Sequence, residues 1–205
     1  LLVSRPCLAG GEPTADTPLE TVTFVVFDTE TTGFDPSEDR ILEIGAVKFR
    51  SNEVVAVTNW IMNPQRDIPY WAYRVHRIGW RMVTNQPPFK TIYPQFADFI
   101  KDSVLLAHNA RFDVDFIAAE LKRAGLKPPP EPVLDSLPLF RHWFPEVGDH
   151  TLEGLATYLG LDTGGYHRAL ADSIYVQRII AKRAEMPDPP KTYGNLRDAA
   201  ELLKF

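Results

Sequence analysis

Two carboxylates spaced two residues apart, Asp28 and Glu30, close the β-branched and aromatic run Thr21 to Asp28 and stand shortly before Gly33. Side chains alternate along a strand, so both acids leave the same face if this run is a strand. At the carboxyl end of a central strand, where open α/β sheets present their ligands, such a pair can coordinate a hard divalent cation such as Mg2+ or Mn2+. Taken alone, an Asp-x-Glu at a strand end is more often a solvated loop, and it gains meaning from two further acids. Asp113 follows the short apolar run Val104 to Ala107 and the string His108-Asn109-Ala110-Arg111-Phe112, and Asp172 lies one turn into a helically periodic segment, five residues after His167. Five residues rotate an ideal helix by about 140°. His167 and Asp172 therefore cannot face one site from the same helix, and His167 belongs in the loop before it.

That placement has a chemical use. An imidazole just ahead of a helix sits at the positive end of the helix dipole, which favours its neutral form. A neutral imidazole accepts a proton from an attacking water near neutral pH. Four carboxylates and such a base meet the needs of phosphodiester hydrolysis on two cations, roughly 3.5 to 4 Å apart, that stabilise the attacking and leaving oxygens. No covalent intermediate is required.

The elements that must bring these residues together are legible in part. Thr21 to Asp28 reads as a strand buried on both faces. Ile41 to Arg50 and Glu53 to Met62 read as two more strands joined in a hairpin at Ser51-Asn52. After Pro64 the chain is irregular and aromatic-rich, and Tyr93 to Ile100 then has helical spacing. Val104 to Ala107 and Val133 to Asp135 are brief strand candidates, and Asp113 to Ala124 is an amphipathic helix closed by Gly125. Thr151 to Leu159 and Arg168 to Glu185 carry helical periodicity. Hairpin first and strand-helix alternation later predict an α/β layered domain with a mixed sheet. Residues 1–20 are expected as a flexible segment, 21–187 as the catalytic domain and 188–205 as a partly helical tail.

Composition sets outer bounds. The 205 residues are 44% hydrophobic and 24% charged, enough apolar material for one core. A net charge of -5 argues against a protein that coats duplex nucleic acid by bulk electrostatics. Bound cations would nevertheless present local positive charge to a phosphodiester. Cys7 is the single cysteine, which excludes an internal disulfide and a multi-cysteine zinc site. No apolar run reaches the roughly 18 residues of a membrane span, so no membrane partner is expected and a cytoplasmic location is. Starting at Leu1 rather than methionine, the chain fits a piece of a longer polypeptide as well as a free-standing enzyme.

At these residues the chain resembles the DEDD exonuclease superfamily, specifically its histidine-bearing, DnaQ-like branch, which includes polymerase-associated proofreading subunits. The first motif stands as Phe27-Asp28-Thr29-Glu30-Thr31-Thr32-Gly33, continuing into Ile41-Leu42-Glu43-Ile44-Gly45-Ala46-Val47. The second is His108-Asn109-Ala110-Arg111-Phe112-Asp113 and the third His167-Arg168-Ala169-Leu170-Ala171-Asp172, all in family order. The resemblance spans about Thr21 to Glu185 and implies an RNase H-like five-stranded mixed sheet, second strand antiparallel, flanked by helices. It implies Asp28, Glu30, Asp113 and Asp172 as ligands of two Mg2+ or Mn2+ ions, with His167 as general base. Backbone around Thr31 and Thr32 is implied to cradle the terminal nucleotide, and Asn109 is a further candidate contact. Val75-His76 is similar to the family's Val-His-Gly-Ile segment along the substrate groove, but Arg77 stands where glycine is usual.

The implied activity is 3′-5′ removal of nucleotides from an end, DNA favoured over RNA, with a DNA polymerase or helicase as possible partner. An RNA-processing exoribonuclease and a non-catalytic docking module are the alternatives. Trp71, Tyr73 and Trp80 fit either base stacking or core packing, and Arg168, Arg178, Lys182 and Arg183 fit either a basic rim or a solvated helix face. His108 fits a structural role, and His142 and His150 carry no signal.

Overall fold

The structure, a computed structural model, describes residues 13–162 and 167–205. The first twelve residues of the expected lead-in, Cys7 among them, lie outside the described residues. In chain order the elements are β1 (Thr23–Thr31), β2 (Ile41–Arg50), β3 (Glu53–Ile61), α1 (Tyr70–His76), α2 (Trp80–Val83), α3 (Phe89–Ile100), β4 (Val104–Ala107), α4 (Arg111–Ala124), β5 (Val133–Asp135), α5 (Ser136–Trp143), α6 (Leu152–Tyr158), α7 (Ala169–Ala184), α8 (Tyr193–Arg197) and β6 (Glu201–Leu203), with a 3-10 turn at Leu19–Thr21 ahead of β1.

One mixed sheet runs in the order β3-β2-β1-β4-β5-β6. β1 to β3 form an antiparallel meander, β4 and β5 join in parallel, and β6 closes the far edge antiparallel to β5. The hairpin expected at Ser51-Asn52 turns there with φ of 48° and 65°. Two positive φ values in succession are the signature of a turn whose twist matches that of the flanking strands.

Strand alternation sorts β1 between two cores. Val25 and Phe27 pack with Phe96 of α3 and Phe116 and Ile117 of α4, whereas Phe24 and Val26 pack with Phe140 of α5 and Ile179 of α7. Helices thus cover both faces of the central strands, which is why β1 and β2 read as nearly continuous apolar runs. Edge strand β3 is largely exposed. No helix among the described residues is long and apolar enough to cross a membrane.

Two expectations are corrected. The sheet has six strands, not five, because Glu201–Leu203 pairs with β5 and buries Leu203. Glu201–Leu203 buries one of its three residues and shows no period, so its pairing reveals it. The segment expected to be irregular after Pro64 holds α1 and α2, each too short for a helical stripe and anchored by Ile78 and Val83 against Leu42. Residues 15–19 pair with residues 191–194. Leu19, Tyr193 and Gly194 amides donate to Lys191, Thr17 and Ala15 carbonyls at 3.0, 2.9 and 2.9 Å, and Tyr193 is fully buried.

One close approach sets the position of α7. The backbone of Ala169 and Leu170 lies against Gly45 of β2, so near that a Cβ there would sit 2.1 Å from the Leu170 nitrogen. Only glycine admits that contact. Ser173 donates its hydroxyl to the Gly45 carbonyl at 3.1 Å and completes the clamp. Gly45→Ala is therefore expected to destabilise the fold by about 2 kcal/mol or more. Urea unfolding would measure it, and an unchanged midpoint would contradict this packing.

Candidate active site

The cluster is assembled at the edge where β1 and β4 end. Asp28 and Glu30 continue the parity of Phe24 and Val26, so they face the α7 side of the sheet. Between Glu30 and Thr31 the pairing with β2 slips by one residue, a bulge of the kind that re-aims side chains beside active sites. From α7, Asp172 reaches the same space. Asp28, Glu30 and Asp172 each place one carboxylate oxygen within 4.8 Å of the others. The buried Asp172 Oδ1 has no hydrogen-bond partner.

Asp113 arrives from the other layer. It sits in the first turn of α4, 2% exposed, and its Oδ1 accepts the Thr29 amide and hydroxyl at 2.8 and 2.7 Å. It lies outside the three-carboxylate group, yet its charge is the largest acting on Asp28. Thr29, on the face opposite the two motif acids, is thus the residue that ties the second motif to the first.

His167 precedes α7 as expected, two residues before Ala169, with φ of 61°. Its amide points to Asp172 Oδ2 at 3.3 Å, and the two residues line one open cleft with His108, Asn109, Arg141 and His150. Four of the five catalytic candidates therefore meet in the triad or on its rim, with Asp113 behind Asp28.

The candidate substrate contacts divide. Asn109 is exposed, holds φ of 59° and donates its amide to Asp135 Oδ1 at 3.0 Å. Asparagine is suited to that left-handed backbone. Thr32 is fully buried, its amide and hydroxyl committed to the Arg40 carbonyl and Asp39, while Thr31 donates its hydroxyl to the Gly33 carbonyl. Their polar groups close the loop between β1 and β2. His76 is 2% exposed. Its Nδ1 accepts the Ile78 amide at 3.0 Å, which leaves the proton of the neutral ring on the buried Nε2, beside the Thr31 backbone. Arg77 ends α1 with φ of 61°, the conformation for which glycine is the ordinary residue.

The structure also decides the roles of residues outside the acid cluster. His108 engages Ser136 and the His150 carbonyl through its two nitrogens, in keeping with a structural part. Trp71 and Tyr73 of α1 and Trp80 of α2 are 47%, 38% and 50% exposed, so core packing does not account for them. Trp71 stacks on Phe34, itself 76% exposed, at 5.0 Å. Lys182 pairs with Glu185, and Arg183 bonds the Pro187 and Asp188 carbonyls. Arg168 is no rim cation, for it grips the buried Glu43. The available signal for Glu43 was a charged residue inside an otherwise apolar strand, a place where acids are rarely left unpaired.

Crowding governs the electrostatics. Burial, then the charges of Asp113, Asp172, Glu30 and Glu43, hold the Asp28 carboxyl well above the usual range. Burial first, and Asp172 next, push Glu30 up to about 8, with Arg168 pulling the other way. Burial raises Asp172 to about 6 against the opposing His167, and raises Asp113 despite the Thr29 bonds. Converging oxygens whose negative charge is unfavourable in the bare site are suited to hard cations, which take carboxylate oxygen ligands. The residues present fit a Mg2+ or Mn2+ site.

The chain matches the profile of the RNase T exonuclease family over residues 25–180. A DNA polymerase III of PolC type from Clostridium perfringens is 41% identical over 157 residues, which is 77% of this chain and 11% of that polymerase. The DNA polymerase III subunit epsilon of Treponema pallidum is 41% identical over 156 residues, 75% of this chain and 73% of the subunit. The chain thus spans about a tenth of the first and most of the second. Escherichia coli exonuclease I in complex with a dT13 oligonucleotide superposes with a TM-score of 0.72 at 19% identity, over 82% of this chain and 42% of that one. Exonuclease X in complex with 5′ overhanging duplex DNA gives 0.61 at 23% identity, over 81% and 96%. At these identities the two structures speak for the fold.

The raised carboxyls make stability depend on pH in a definite direction. A carboxyl whose folded pKa exceeds its unfolded value of about 4 contributes stability that is complete below that value and lost as pH rises through the folded one. His76 and His108, lowered chiefly by burial, work oppositely below about pH 6.5. The clean window is therefore above that, where Glu30 titrates at about 8. In EDTA the melting temperature should fall from about pH 6.5 to 8.5, by roughly 2–4 °C for each 1 kcal/mol of repulsion, and Mg2+ should reverse it. A flat or rising profile would contradict the cluster.

Proposed function

The chain belongs to the RNase T exonuclease family, and from that premise we propose that it is a metal-dependent 3′-5′ exonuclease that releases nucleoside 5′-monophosphates from DNA ends. The observation that carries this reading is the meeting of Asp28, Glu30 and Asp172 within 4.8 Å, with His167 on the rim. The choice of DNA rests on the relatives, two of which are named as DNA polymerase III proteins at 41% identity. A polymerase partner is part of the same reading.

Asp28, Glu30 and Asp172, with Asp113 behind them, would hold the two ions, which supply Lewis-acid stabilisation of the attacking and leaving oxygens when bound. The protein's own tasks are positional. His167, ahead of α7, takes the proton of the attacking water at its imidazole. Asp113 is fixed by Thr29 through one oxygen, and its other oxygen takes no part in those bonds. Asn109, exposed in the cleft, and His76 are the candidate contacts of the terminal nucleotide, and the loop closed by Thr31 and Thr32 supports it. The exposed stack of Phe34 on Trp71 offers an aromatic face to bases of a frayed or single-stranded end, an interaction worth about 1–3 kcal/mol per base.

End-labelled DNA and RNA oligonucleotides of matched sequence test the proposal. With Mg2+ or Mn2+, single-nucleotide products from the 3′ end are expected on DNA and none in EDTA. His167→Ala should lower kcat by about 10²- to 10⁴-fold, and Asp28→Ala should abolish turnover. Faster loss of RNA would turn the assignment to an exoribonuclease. A wild-type chain inert with every divalent cation would favour a docking module without catalysis.

A further inference from the structure

A fifth acid stands beside the cluster and holds α7 in place. Glu43 lies directly opposite Glu30 in the β1–β2 pairing and is fully buried. Its charge acts on Asp28, Glu30 and Asp172, so by proximity alone it could be taken for another cation ligand. Its hydrogen bonds exclude that. Oε1 accepts Asn59 Nδ2 at 2.8 Å and Arg168 Nη2 at 2.5 Å, and Oε2 accepts Arg168 Nε at 3.1 Å and the Ala169 amide at 3.0 Å. A carboxylate has about four acceptor positions, and four donors fill them.

Those partners have a common destination. Arg168 is the N-cap of α7 and its own side chain caps nothing, while Ala169 is the first helical residue. The first amides of a helix lack intrahelical acceptors and lie at its positive end. Here the acceptor comes from a neighbouring strand: Glu43 takes the Ala169 amide and, through a bidentate fork, Arg168. Such forks fix orientation as well as distance. His167 precedes the gripped residue directly, and Asp172 follows it by one turn.

We propose that Glu43 and Arg168 form a positioning anchor that docks the start of α7 on β2 and so presents His167 and Asp172 to the cluster. The proposal rests on the nuclease reading for its consequence in catalysis and on geometry alone for the anchor. An acid between Leu42 and Ile44, near the start of a buried strand, thereby acts without touching the substrate. Arg168 also offsets the negative charge that Glu43 adds beside Glu30.

The test compares Glu43→Gln, Arg168→Ala, Arg168→Lys and the Glu43→Gln/Arg168→Ala double variant on a single-stranded DNA oligonucleotide with Mg2+. Amide hydrogen exchange at Ala169 to Asp172 is followed in parallel in metal-free protein. Glu43→Gln and Arg168→Ala should each lower kcat by about tenfold or more with KM within about twofold, as for groups that act only through positioning. The double variant should lose no more than the worse single, because the two residues form one unit. Arg168→Lys, which keeps the charge without the fork, should fall between. Exchange at Ala169 should quicken by about tenfold while the sheet amides stay protected.

Losses that multiply in the double variant, or a KM effect in place of kcat, would overturn the anchor. So would exchange that rises uniformly with a melting temperature falling in step, since that marks a structural ion pair. Should Glu43→Gln fail to fold, the Arg168 variants decide, because that side chain is 37% exposed. A folded Arg168→Ala chain with normal kcat and normal exchange would end the proposal. A wild type inactive with every cation would sink the nuclease reading, and exchange at Ala169 would still judge the anchor.

Discussion

Repulsion among carboxylates is the constraint from which the rest of this structure follows. Asp28, Glu30 and Asp172 share a space under 4.8 Å across, Asp113 stands behind them, and Glu43 adds a further charge from the next strand. Water would screen such a group, but burial withholds it, so charged forms are held at a cost that the fold must overcome. The protein meets that cost with rigid supports on both sides of the sheet. Thr29 fixes Asp113 from the α4 layer, and the contacts of Gly45, Ser173 and Glu43 fix α7 from the other. On the proposed reading, divalent cations held by these oxygens would complete the balance.

The sheet's two-sided burial explains why the acids can meet at all. Alternation along β1 sends Val25, Phe27 and Thr29 to one layer and Phe24, Val26, Asp28 and Glu30 to the other. The motif acids are thus the polar continuation of a face that is apolar for its first residues. Where the apolar run stops, the parallel neighbour β4 stops too, and the loops after both strands open on the same edge. Left-handed backbone occurs on this rim at Asn109 and His167, local conformations that surrounding contacts must hold in place.

Much of this was legible in the chain, for identifiable reasons. β2 is bounded by Ile41 and Arg50 in sequence and structure alike because it is one long apolar run ended by a turn of Ser51-Asn52. The five-residue interval from His167 to Asp172 requires a loop followed by a helix, and that is what stands there. What stayed hidden depends on partners remote in the chain. β6 is recruited by pairing, and α1 and α2 are too short for periodicity. Arg168 looks like one more helix cation until Glu43, 125 positions away, is seen to hold it. Thr31 and Thr32 lie in the motif, but their polar groups turn inward to the loop, which spacing does not disclose.

Anomalous scattering from crystals soaked in Mn2+ examines the central claim with the fewest intermediates. The account predicts ions at the cluster, ligated by oxygens of Asp28, Glu30 and Asp172, with Asp113 completing the shell of one of them and Glu43 still bound to Arg168. Absence of any peak at Asp28 under saturating Mn2+, or peaks confined to acids elsewhere on the surface, would contradict it.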